Sequence, residues 1–355
     1  MTLLNAQFFE KLRRLLPQDQ QHEQPRLNRW LNTNEIEKNW LKDVKFETDE
    51  MFQFGDHYQL AIAVFANEHY IVCSGLKPEL LESDFEYCEI NTGLFCAAIV
   101  ELNINPIISE TTGLELAENI FIPIENISEK GMGYDLSIVT KYFPEISIYK
   151  IHSKSPFFSL APALQRVGLF VVTKCSVLQS LNWSQAGLEI ARVVCTLEVD
   201  IFPYELVLRA ITERKWDHAF LEIYRSIEFL YPFPKINELK NKLKLSLPSE
   251  AISEIVEDVL SWRPVEEAAL QGLLKNLPLN LLNEFKLAFD SEAKITGFDN
   301  KKAASLIYKL RNDCVHFRPV QKSSSLRSNV NWEILLPTML HATHFCYGNQ
   351  LISST

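Results

Sequence analysis

Near the end of this 355-residue chain, Arg311-Asn312-Asp313-Cys314-Val315-His316 brings an arginine, an asparagine and a histidine within six positions. Histidine titrates near neutrality and can move protons. Arginine presents a planar, permanently charged fork to negative charge developing on a phosphorus centre. Asparagine can orient the ring or a phosphate. Together the three suit RNA cleavage without metal, in which a 2′-hydroxyl attacks the adjacent phosphate. The products would be a 2′,3′-cyclic phosphate and a 5′-hydroxyl. The competing reading is a solvated helix end, where cations simply complement the helix dipole.

The element that must position these residues is a helix expected over 300–317, with Asp299 as its N-cap and Pro319 beyond its end. Ala303, Leu306, Ile307, Leu310, Cys314 and Phe317 fall on one face, the expected core. Asn312 and His316, four apart, share the opposite face, and Arg311 flanks the core stripe. On a straight helix Arg311 and His316 lie about 140° apart. Unwinding before Pro319, or a second copy facing the first, would bring them to one groove. Between 301 and 330 stand Lys301, Lys302, Lys309, Arg311, Arg318, Lys322 and Arg327 against Asp313 alone. That segment is net +6 in a chain of net −10, as a phosphate-backbone ligand would select.

The Arg-Asn-x-x-x-His pattern resembles the signature of the HEPN superfamily, all-α domains found in many metal-independent ribonucleases. Residues 216–231, WDHAFLEIYRSIEFLY, look like the first long helix of such domains, with Trp216, Phe220, Ile223, Ile227 and Leu230 as its core stripe. The resemblance covers roughly residues 205–350. It implies that Arg311 stabilises the transition state, that His316 is the general acid or base, and that Asn312 orients. Glu228 or Arg225 would support the groove, and Lys309, Arg318, Lys322 and Arg327 would bind RNA. It also implies a homodimer and no metal or other cofactor. The family's common setting is a toxin or abortive-infection effector in antiphage defence. The runner-up is a non-catalytic adaptor of the same type that binds RNA or a partner protein.

The rest of the chain gives architecture. Its 47% hydrophobic and 23% charged content fits a soluble globular protein of two domains. The expected fold class is α+β: a mixed, β-rich domain over 1–200, then an all-helical domain over 201–355. The first would regulate or recognise, holding a ribonuclease silent until a trigger or partner arrives. Tyr58–Phe65 and His69–Cys73 read as a hairpin, and Leu94–Leu102, Phe121–Ile124, Ile146–Ile151 and Gly168–Thr173 as further strands. Helices are expected over 3–16, 27–41 and almost everywhere beyond Pro203, including 204–231, 249–261 and 332–350. Gly187–Leu197 fits either helix or strand. Pro264 and Pro337 suit first helical turns. Seven scattered cysteines without a C-x-x-C pair read as free thiols in a reducing cytoplasm. Neither a signal peptide nor a membrane span is expected. His341 and His344 have a spacing that can bind metal, but no third ligand stands out, and they read as packed or solvated.

Overall fold

A computed structural model describes residues 2–16, 28–47, 51–55, 57–80, 83–107, 112–121, 132–158, 164–175, 183–195, 202–290, 296–315 and 326–352. The fold is α+β, and the chain divides into two compact units, Met1–Cys175 and Ser176–Thr355. The division falls earlier than the expected 200/201. The open stretch after Ser184 is a helix of the second unit.

The first unit begins with α1 (Thr2–Arg13), whose Phe8 and Leu12 are fully buried, as the helical spacing predicts. Of the helix expected over 27–41, the described residues 28–41 form no single helix. A short strand β1 (Arg29–Leu31) precedes α2 (Glu35–Asp43). Next come β2 (Lys45–Phe46), β3 (Phe52–Phe54), β4 (Tyr58–Phe65), β5 (Glu68–Ser74) and β6 (Phe85–Cys88). After them stand α3 (Thr92–Glu101), α4 (Thr112–Leu116) with a π-helical turn Ala117–Phe121, β7 (Met132–Tyr134), α5 (Leu136–Thr140), β8 (Ile146–Ile151) and α6 (Leu164–Thr173). The main sheet runs β2-β4-β5-β8-β6, with β3 also on β4, and every pairing in it is antiparallel. A parallel pair, β1 with β7, stands apart. The expected β4–β5 hairpin forms, and its turn residues Ala66 and Asn67 both take positive φ, which suits a two-residue turn.

Two expected strands are helices. Leu94–Leu102 lies largely in α3, and Gly168–Thr173 lies in α6. Each of the two helices buries eight of its ten residues, so the stretches expected as strands are almost unbroken apolar runs, which a core strand would also show. Phe121 ends the π-helical turn, and the remainder of Phe121–Ile124 lies outside the described residues. Helix α3 is seated by its N-cap, Asn91, whose side chain accepts from Leu94 N–H at 2.9 Å. It approaches α2 so closely that a Cβ on Gly93 would stand 1.9 Å from the Glu37 carbonyl oxygen. Phe8, Phe95 and Phe143 meet in the adjoining core, with ring centroids 5.4–6.1 Å apart.

The second unit is helical throughout its described residues: α7 (Gln185–Cys195), α8 (Tyr204–Thr212), α9 (Trp216–Glu228), α10 (Phe233–Leu243), α11 (Ser249–Leu260), α12 (Glu266–Leu274), α13 (Leu279–Phe289), α14 (Asn300–Val315), α15 (Leu326–Asn329) and α16 (Trp332–Ile352). The expected 204–231 segment is two helices, broken after Thr212. Helix α9 is the hub, packing against α8, α12, α14 and α16. Its Phe220, Ile223 and Ile227 are fully buried, and Tyr347 on α16 donates its hydroxyl to the Ser226 carbonyl at 2.9 Å. Pro337 sits inside α16 rather than in its first turn. Its ring faces Gly187 of α7, where a Cβ would lie 3.0 Å from Pro337 Cγ. Pro264 lies just ahead of α12 rather than in its first turn.

Candidate functional site

Helix α14 starts as its sequence predicts. Asp299 accepts from Lys302 N–H at 2.7 Å, which satisfies one of the donors left open at a helix start. Ala303, Ala304, Ile307 and Leu310 are buried beneath it, while Leu306 and Cys314 of the expected stripe are only partly covered. Phe317 and His316 lie outside the described residues, as do Arg318 and Lys322.

Arg311 is gripped. Its side chain is only 23% exposed. Nη2 lies 3.5 Å from Glu228 Oε1 at the end of α9, and Nη1 lies 3.9 Å from Glu266 Oε2 in the first turn of α12. Nη1 also donates to Asn312 Oδ1 at 3.2 Å, and the guanidinium stands 5.9 Å from the ring centre of Tyr224. The Tyr224 hydroxyl in turn accepts from Tyr231 at 2.6 Å. Three helices therefore converge on one cation. Both carboxylate separations exceed the roughly 2.7–2.9 Å of a close charge-assisted hydrogen bond, so charge holds the guanidinium more than a hydrogen bond does.

The electrostatics follow from burial. Desolvation raises the Glu228 carboxyl above its usual range, Arg311 opposes that, and Glu266 adds to it. Burial likewise raises the Tyr224 and Tyr231 hydroxyls, so both remain protonated donors at neutral pH. The Cys314 thiol is pushed up to about 12, first by burial and then by Asp217, which leaves it a poor nucleophile.

Of the supporting pair, the fold brings Glu228 to Arg311 and sends Arg225 to Glu222, 2.6 Å away on the same helix. Asn312 directs its carbonyl oxygen at Arg311. Lys309 is exposed, as are Lys301 and Lys302. Arg327 pairs instead with the nearly buried Asp217 of α9. The seven-cation segment is therefore less basic in space than along the chain, since Arg311 and Arg327 meet carboxylates from elsewhere. Asp313 accepts from Leu326 N–H at 3.1 Å, which joins the last turn of α14 to the start of α15. Sequence reasoning missed Glu266, Tyr224 and Tyr231. Tyr224 precedes Glu228 by one helical turn, a signal that could have placed it beside Arg311.

The chain matches no family model, no curated protein and no solved structure. His341 and His344 sit with ring centres 6.5 Å apart, and burial first, then His341, lowers the His344 pKa. Among the described residues, no group of three or more His, Cys, Asp or Glu side chains is placed to hold a metal. Also among them, no helix is long and apolar enough to cross a membrane.

Proposed function

We propose that the protein is a metal-independent endoribonuclease of the HEPN type. Arg311 meets the phosphate, His316 moves the protons and Asn312 fixes the arginine. A base removes the 2′-hydroxyl proton, the 2′-oxygen bonds to phosphorus, the bond to the 5′-oxygen breaks, and that oxygen takes up a proton. Arg311 would carry the charge that builds on the equatorial oxygens. The single observation behind this reading is the grip on Arg311. A solvated helix end needs no such cradle, whereas a transition-state cation must be held before substrate arrives. The setting we propose is a regulated effector of antiphage defence in the cytoplasm, with the first unit as the place where a trigger acts. That setting rests on the resemblance alone.

The deciding experiment is incubation of the full chain with total RNA in EDTA, beside Arg311→Ala and His316→Ala, followed by end-group analysis. The expected result is fragments ending in 2′,3′-cyclic phosphate, absent with both variants. A protein that never cuts RNA, even with candidate triggers supplied, would overturn the proposal. One observation favours a second reading, a non-catalytic adaptor: two carboxylates face one guanidinium, a poor cradle for a phosphate. In that case wild type and His316→Ala would bind RNA or partner equally and act equally in cells.

A further inference from the structure

Two cavities of the first unit meet at one residue. Asn103, just past the end of α3, lines both. It takes a φ of +50°, the left-handed conformation in which helices commonly end and which asparagine tolerates. Its side-chain oxygen accepts from the Lys11 ammonium of α1. On one side lies an inner chamber of about 80 Å³, enough for about five water molecules at roughly 15 Å³ each. On the other lies a more open hollow of about 480 Å³ along α1.

Gln59 of β4 sets what the inner chamber can take. It is buried, with 6% of its surface exposed. Its amide nitrogen donates to the Leu102 carbonyl at 3.3 Å and meets Met51 Sδ at 3.4 Å. The Leu102 carbonyl thereby fixes which way the amide is turned, and its oxygen accepts from no donor among the described residues. An acceptor so placed is satisfied by a donor that enters the cavity. Ile104 and Pro144 give the chamber buried apolar walls, while the exposed Gln53, His57 and Asn105 put hydrogen-bonding groups at its mouth. Apolar walls with a few polar groups at the edge suit a flat ring that carries donors and acceptors on its rim.

The outer hollow suits negative charge. Lys11 and Arg14 line it against Glu10, and Glu10 leans toward Arg13, 4.0 Å away. Burial first, and then the like charge of Arg14, lower the Lys11 pKa, a cost that an anion between the two cations would relieve. We propose that the two cavities together bind one pyrimidine nucleoside monophosphate, its base in the inner chamber donating an N–H to Gln59 and its phosphate against Lys11 and Arg14. A two-ring base is larger than the inner chamber, and inorganic phosphate alone would leave the Gln59 oxygen unmet. The site lies wholly within the first unit and does not rest on the ribonuclease reading.

Isothermal titration calorimetry of the full chain, without RNA, tests this directly. Uridine or cytidine monophosphate is expected to bind with a Kd below about 1 mM, and uridine, adenosine monophosphate and inorganic phosphate each at least about tenfold more weakly. Lys11→Ala is expected to lose about tenfold or more in affinity for uridine monophosphate while uridine binds as it does to wild type. Gln59→Leu is expected to lose the preference for uridine monophosphate over inorganic phosphate. Because Gln59 is buried, the exposed Gln53→Ala decides the matter if Gln59→Leu does not fold: it should weaken uridine monophosphate and leave phosphate unchanged. Arg311→Ala should bind uridine monophosphate as wild type does. No binding of either pyrimidine nucleotide at about 5 mM, or phosphate or adenosine monophosphate binding as tightly, would overturn the proposal. So would loss of binding in Arg311→Ala, which would assign the nucleotide to the site of the second unit. Calorimetry reads binding alone, so the result is independent of whether the chain cuts RNA.

Discussion

Arg311 sits where one positive charge holds two negative ones, and that imbalance has a pH signature. Glu228 has its carboxyl raised above 4.5 by burial, so its protonated form is the one the fold prefers. It contributes stability that is fully present below pH 4.5 and lost as pH rises through its raised folded value. Glu228→Gln is therefore expected to leave stability at pH 7 unchanged or slightly higher and to flatten this part of the pH profile. Arg311→Ala removes the opposing cation. It is expected to cost about 1–2 kcal/mol at pH 7, less than a fully buried pair because the Glu266 side chain is 42% exposed. The deficit should shrink as pH falls toward 4.5 and Glu228 takes up its proton. Thermal unfolding of the three proteins across that range checks both expectations. An Arg311→Ala deficit that grows on acidification would refute the described cluster. Of this site, Arg311 was legible from residue type and its place in the motif, whereas Glu228 was one of two candidates, with Arg225, that the family resemblance suggested. Glu266 was not legible, because only the path of the chain through α10 and α11 brings the first turn of α12 back to α14.

At the level of elements, sequence pattern succeeded where a face was half solvated and failed where none was. Helices α1, α9 and α14 each bury one stripe, and their periods were readable. Helices α3 and α6 bury almost everything, so their composition could not separate them from core strands. The same burial makes α3 sensitive to a single methyl group. Glu37 accepts from its own N–H partner residue, Asn34, at 2.7 Å as part of a capping box, and also from Thr92 N–H at 3.3 Å, so α2 and α3 start against one carboxylate. Gly93 lies in that contact. Gly93→Ala cannot be absorbed by a side-chain shift, since the obstacle is the Glu37 backbone. It is expected to destabilise the protein by about 2 kcal/mol or more, visible in chemical denaturation. A change within about 0.5 kcal/mol would mean that α2 and α3 are farther apart than described.

For the whole molecule, net charge and local charge pull in opposite directions. A chain of net −10 repels RNA at long range, so attraction has to come from local cations. Lys301, Lys302 and Lys309 are exposed on α14, whereas Arg327 is committed to Asp217. If those three lysines meet phosphates, affinity for single-stranded RNA should fall with a log–log salt slope of about −2, steepening by about 0.7 for each further contact from Arg318 or Lys322. Binding of the His316→Ala variant measured across salt concentrations tests this, and a flat response would exclude a phosphate-led interface. The bond from Leu326 N–H to Asp313 has a different consequence. Asp313 holds the start of α15 from one side and Asp217 of α9 takes Arg327 from the other, so a helix of four residues, too short to keep its shape alone, is clamped by two carboxylates. Replacing both aspartates with alanine would loosen α15 first, while Arg311 keeps its contacts from α9 and α12.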